Sequence, residues 1–180
     1  MTAELYDTIG RTYGDTRHAD PRVAAAILRA LGDARTVLNV GAGAGNYEPV
    51  DREVMALEPS AVMIAQRPPG AARVVQGRAE ELPFADGSFD VVISGLALHN
   101  IYAREERNQA LREIARVLKP GGHVAIVDID HTAEYERLLR ESGVTEVKRV
   151  PSGPLATWLV ILGTWGGVRP YRVIGHKPAA

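Results

Sequence analysis

The sequence predicts an α/β fold: a doubly wound, mainly parallel sheet of about seven strands, the last antiparallel. Short apolar runs alternate with helical patterns along most of the 180 residues, the signature of a parallel sheet with crossover connections. Most of those runs are continuous, as expected for strands covered on both faces. The first run, Val37 to Val40, opens straight into Gly41-Ala42-Gly43-Ala44-Gly45. Glycine-rich loops of this kind sit at the carboxyl edge of such sheets, where cofactors bind.

The elements follow in order. The opening segment reads as a helix, with Leu5, Ile9 and Tyr13 on one face. A second helix starts at Asp20-Pro21, an N-cap followed by a first-turn proline, and stops at Gly32. Strands are expected at Val37–Val40, Val54–Leu57, Arg73–Gln76, Phe89–Ser94, His123–Ile129, Val144–Val150 and Tyr171–His176. Helices fit Ser60–Gln66, Arg104–Leu118 and Thr132–Glu141. The long one carries Ala110, Leu111, Ile114 and Val117 at helical spacing and ends at the breaker cluster Lys119-Pro120-Gly121-Gly122. Only Asn46 to Arg52 separates the glycine loop from the second strand region, too little for an ordinary crossover helix, so a single turn or loop is expected there. Pro151–Pro170, with its apolar stretch 155–165, reads as an extra packed element or a substrate cover.

Bulk properties narrow the function. The length suits one domain with a full core. With 21 Lys and Arg against 22 Asp and Glu, the net charge of −1 argues against general nucleic-acid binding, which rests on clustered cations. There is no cysteine, which removes disulfides, thiolate metal sites and cysteine nucleophiles. No secretory signal and no run of membrane-spanning length is visible, so a cytoplasmic protein without a membrane span is expected.

The glycine spacing is informative. A dinucleotide fingerprint wants its third glycine at position 46, where this chain has Asn46, with Gly45 one place earlier. That leans away from NAD and towards another nucleoside-bearing cofactor. The second strand ends in Glu58, 17 positions after Gly41. A carboxylate at that edge can accept both hydroxyls of a ribose; the plainer reading is a solvent-facing cap on the next helix.

VLNVGAGAG, ALEPSAVMIAQ, GRAEELPFADGSFDVVIS, ALHNI and REIARVLKPGGHVAIVD occur in this order over roughly residues 35 to 130. In these pieces the chain resembles the class I S-adenosylmethionine-dependent methyltransferases, in particular the small-molecule branch with the ubiquinone/menaquinone biosynthesis methyltransferases. The resemblance implies a Rossmann-like fold, S-adenosyl-L-methionine as cofactor and S-adenosyl-L-homocysteine as product. It implies that Gly41, Gly43 and Gly45 wrap the methionine moiety and that Glu58 holds the ribose. Pro59 and Met63 would lie near the adenine, Ala79 and Glu80 at its edge, and Ser94, Gly95 and Leu96 beside the sulfonium. The N-terminal helices, residues 1–32, look like a lid, with Tyr6 and Tyr13 as lid residues or as ordinary amphipathic packing. Residues 35–130 would form the cofactor-binding core and 131–180 the substrate side of a single domain. Two positions depart from the family: Asn39 stands where an Asp is common, and Arg78 where an Asp often contacts adenine.

Methyl transfer needs an aligned nucleophile, and a general base only if the acceptor must lose a proton. His99, after the fourth strand, is the candidate base, or else a histidine bonded to backbone; Asn100 could orient a polar acceptor. Asp128 and His131, after the fifth strand, and Arg17 and His18, before the second helix, are candidate substrate residues. Asp128 and Asp130 share a strand face and could hold a hydroxyl, an amine or Mg²⁺, although an acidic pair at a strand end is more often solvated, and no metal is assigned. The expected acceptor is a small organic molecule, with a homodimer as one way to complete an open site. The alternatives are an NAD(P) oxidoreductase, disfavoured by Asn46 and by the lack of any Tyr-x-x-x-Lys pair, and a cofactor-binding module without catalysis.

Overall fold

A computed structural model describes residues 27–45, 48–152 and 170–179. After helical residues 27–31 the order is β1 (Thr36–Val40), β2 (Glu53–Glu58), α1 (Ala61–Ala65), β3 (Arg73–Gln76), β4 (Phe89–Gly95), α2 (Arg104–Val117), β5 (Leu118–Asp128), α3 (Thr132–Glu141), β6 (Thr145–Pro151) and β7 (Tyr171–His176). The strands form one sheet in the order β3-β2-β1-β4-β5-β7-β6. β3, β2, β1, β4 and β5 pair in parallel, and β7 runs antiparallel between β5 and β6. The chain order reverses beside β1, so the carboxyl ends of β1, β2 and β4 meet at one crevice.

The strands form where the sequence is apolar because both faces are covered. Val37, Leu38, Val91, Val92, Val124 and Ile126 are all fully buried. Each such side chain contributes about 1.5–3 kcal/mol relative to exposure. On one face α2 brings Leu111, Ile114 and Val117, and α3 brings Leu138 and Leu139, into the larger core cluster. A smaller cluster of Leu31, Val37, Val54 and Val91 lies under helical residues 27–31.

α1 is short but well started: Ser60 is its N-cap and accepts from the Met63 amide at 3.2 Å. No helix occurs among the described residues between β1 and β2, as the short connection requires. The breaker cluster behaves differently from expectation. Lys119-Pro120-Gly121-Gly122 lies within β5, which begins at Leu118 directly after α2. A register shift between Phe89 and Val91 accommodates it, and Gly122 passes so close to β4 that a Cβ there would sit 2.8 Å from the Asp90 carbonyl. Tyr6, Tyr13, Arg17, His18 and the apolar stretch 155–165 lie outside the described residues.

Candidate functional site

Three left-handed glycines shape the loop after β1: φ is 71° at Gly41, 55° at Gly43 and 83° at Gly45. Only glycine adopts this conformation without strain, which explains the spacing. At Gly41 there is also no room, because an added Cβ would lie 2.3 Å from the Ala97 Cβ. The loop therefore touches the segment that follows β4.

Glu58 ends β2 beneath this loop and is 3% exposed. Its carboxylate accepts the Gly43 amide at 2.8 Å and the Ser60 amide at 3.0 Å. The solvent-facing cap that its position also allowed is thus excluded: Glu58 joins the end of β2, the glycine loop and the start of α1. Met63, 2% exposed, packs under Gly43. Beside this loop is a crevice lined by Gly41, Leu57, Pro59, Ala79, Glu80 and Leu98 among others. Its mainly apolar walls and the Gly41 backbone on one side suit a nucleoside-bearing cofactor, and the buried Glu58 lies in sequence between the lining residues Leu57 and Pro59.

Arg78 stands at the crevice edge, paired with Glu80 at 2.6 Å and Glu106 at 3.2 Å. The Glu80 hydrogen bond raises its pKa further. Asn39 donates to Glu48 Oε1 at 3.3 Å, so a carboxylate stands beside the position where the sequence appeared to lack one. Sequence reasoning missed Glu48 and Arg67, which form an ion pair with side chains 3% and 6% exposed.

After β4 the chain makes a strained turn. Leu96 has φ 54°, costing about 1 kcal/mol or more for a residue with a Cβ. Its amide is tied to the Val127 carbonyl at 2.8 Å. Ser94 is 3% exposed and donates to the Val40 carbonyl at 2.9 Å, bracing β4 against β1. Asn100 turns back on its own turn, with Nδ2 3.3 Å from the Ala97 carbonyl.

His99 and Asp128 come together across 29 residues. His99 Nδ1 lies 2.5 Å from Asp128 Oδ1, and its amide donates to Oδ2 at 3.0 Å. Asp128 is fully buried and also accepts from the Ile129 amide and the Tyr135 hydroxyl. Burial first, and the nearby Asp128 charge second, push the Tyr135 hydroxyl pKa well up, so it remains a donor. This corrects the expectation that Asp128 faces a substrate alongside Asp130: Asp128 is enclosed, while the Asp130 side chain is 69% exposed beyond the strand. The His99 ring is bonded through Nδ1 to the Asp128 carboxylate, where the sequence had also allowed a backbone partner, and its side chain is 21% exposed. His131 sits at the start of α3 with φ 56° and is partly exposed.

Residues 38–126 match the methyltransferase-domain family. The tRNA (carboxymethyluridine(34)-5-O)-methyltransferase ALKBH8 of Mus musculus is 29% identical over 155 residues, 83% of this chain and 23% of that protein. The ubiquinone/menaquinone biosynthesis C-methyltransferase UbiE of Idiomarina loihiensis is 48% identical over 59 residues, 33% of this chain and 22% of that protein. The chain spans about a quarter of the length of these curated relatives. Among solved structures, the [4+2]-cyclase SpnF superposes with a TM-score of 0.75 at 16% identity, covering 99% of this chain and 96% of that one.

Proposed function

We propose that this chain, whose residues 38–126 match the methyltransferase-domain family, is a class I S-adenosylmethionine-dependent methyltransferase that transfers a methyl group from S-adenosyl-L-methionine to a small organic acceptor by in-line displacement. The observation that carries the reading is Glu58, a buried carboxylate that accepts the Gly43 amide and lies in sequence between Leu57 and Pro59, two residues that line the crevice. When bound, the cofactor supplies a methyl group on a positively charged sulfur, which leaves with the bonding pair as the acceptor's lone pair attacks.

The residues of the chain take the following parts in this proposal. Gly41, Gly43 and Gly45 approach the methionine moiety, and Glu58 accepts the ribose hydroxyls. Pro59 and Met63 lie towards the adenine, with Ala79 and Glu80 along its edge. Ser94, Gly95 and Leu96 form the turn nearest the sulfonium, and its strain fits a site that must hold one geometry. Asn39 acts through Glu48. Tyr6, Tyr13, Arg17 and His18 lie outside the described residues, and His131, at the start of α3, is assigned to the acceptor side.

His99 is the general base. Asp128 keeps its Nδ1 protonated and turned inward, which leaves Nε2 as the proton acceptor. Asn100 would have to leave its own turn to orient an acceptor.

A second reading has its own support. The match to ALKBH8, whose name is that of a tRNA methyltransferase, runs along 83% of this chain. An RNA acceptor would need cations that a chain of net charge −1 does not supply in bulk, so a further segment or partner would provide them. The SpnF likeness keeps a third reading in play, a cofactor-binding fold that catalyses no methyl transfer, because fold alone does not fix chemistry.

The test is calorimetric titration with S-adenosyl-L-homocysteine, with NADH as control. Binding of the former alone, lost in Glu58→Ala, is the expected result. An acceptor screen with labelled cofactor, including bulk tRNA, then separates the readings: turnover on a small molecule supports the first, turnover on tRNA the second, and binding without turnover the third.

A further inference from the structure

The connection from β1 to β2, residues 41–52, has no helix among its described residues to support the glycine loop. An ion pair stands in that place. Arg67, just beyond α1, reaches back with one guanidinium to three acceptors: the Gly43 carbonyl at 3.2 Å, the Ala72 carbonyl at 3.0 Å and the Glu48 carboxylate. Glu48 Oε2 also accepts the Ala72 amide at 3.1 Å, and Oε1 accepts from Asn39 on β1. Both side chains are almost wholly enclosed. The loop rests directly on them: a Cβ at Gly45 would lie 3.1 Å from Arg67 Nη1 and 3.2 Å from Glu48 Oε2.

Gly43 is therefore held from two sides, its N–H by Glu58 and its C=O by Arg67. We propose that Arg67, fixed by Glu48, is a positioning residue for the cofactor: the buried pair replaces a crossover helix and sets the glycine loop in the shape that receives the methionine tail. This rests on the methyltransferase reading for the identity of the ligand, although the clamp on the loop stands on the geometry alone. The planar fork of arginine is required, because a lysine ammonium cannot present separate N–H groups to Gly43, Ala72 and Glu48 in one plane.

The experiment has two arms. In the first, hydrogen–deuterium exchange is measured on the ligand-free protein. Glu48→Gln keeps the shape of the side chain and removes its charge, and should speed exchange at residues 41–45 while leaving β4 and β5 unchanged. In the second, wild type, Glu48→Gln, Arg67→Lys and Arg67→Met are titrated with S-adenosyl-L-homocysteine and with 5′-methylthioadenosine, which lacks the amino-acid tail. Homocysteine-ligand affinity should fall about tenfold or more in all three variants, with methylthioadenosine affinity changed less than about twofold. Equal losses for both ligands, no loss for either, or rescue by Arg67→Lys would overturn the proposal. If Arg67→Met does not fold, Glu48→Gln and Arg67→Lys carry the comparison. A wild type that binds neither ligand defeats the cofactor reading, and the exchange arm then still decides whether the clamp exists.

Discussion

His99 and Asp128 illustrate how much of a residue's role depends on what lies across the sheet. Each was visible in the sequence as a polar group after a strand, but their partnership was not, because 29 positions separate them. In the proposed mechanism the pair acts as a unit, so its effects should not add. His99→Ala and Asp128→Asn are each expected to lower the rate of methyl transfer by about tenfold or more, and the double variant to be little worse than either single one. Independent, multiplying losses in a double-mutant cycle would show that Asp128 does not act through His99. Asn39 teaches the same lesson. On sequence it marked a lost carboxylate, yet Glu48, nine residues on, folds back beside it. The loop that lets Glu48 return is made by the three glycines, whose left-handed geometry the spacing did announce.

At the level of elements, the strands were legible because burial on both faces demands continuous apolar runs, and α1 because Ser60 caps it. The start of β5 was not legible: Pro and Gly usually stop a strand, but Gly122 supplies the close approach that lets β5 begin early against β4. The same corner is tied by Asp90 on β4. Its carboxylate accepts from the Arg35 and Thr36 amides, the Thr36 hydroxyl and Lys119. Burial alone would raise its pKa, but the Lys119 and Thr36 hydrogen bonds outweigh it and hold the carboxyl well below the ordinary range. Asp90→Ala should cost about 2 kcal/mol, since hydrogen bonds to a charged group are lost from a partly exposed site. A carboxyl depressed in the folded state adds stability above its unfolded value near pH 4, and loses it as pH falls towards the depressed one. The stability gap between wild type and Asp90→Asn should thus be full at pH 6 and shrink below about pH 4 in urea titrations. A gap that persists undiminished in acid would remove the charge from the explanation.

At the scale of the whole molecule, the sheet order brings the ends of β1, β2 and β4 to one crevice and sets β7 antiparallel beside β5. Helical residues 27–31 are joined to this sheet by His123 of β5, whose Nε2 lies 3.1 Å from the Ala30 carbonyl. Burial lowers the His123 pKa, the Ala30 carbonyl partly opposes this, and the His176 ring beside it adds to the lowering. A histidine that is harder to protonate when folded favours the native state above its unfolded pKa near 6.5, and that advantage is lost as pH falls below it. The urea midpoint should therefore drop between about pH 7.5 and 5.5, and drop less in His123→Gln. An identical pH slope in the two proteins would exclude His123 as the source. The sequence by itself determined most of the strands, the glycine loop and the carboxylate at the end of β2. These are local, because periodicity, backbone conformation and motif spacing are properties of neighbouring residues. Only the tertiary structure decided that Glu58 is buried under the loop, that Asp128 is bonded to His99, and that Arg67 and Glu48 form an enclosed ion pair against the glycine loop. Those facts depend on which distant side chains share one enclosed volume, and burial forces each charged group there to find a partner the linear order does not name.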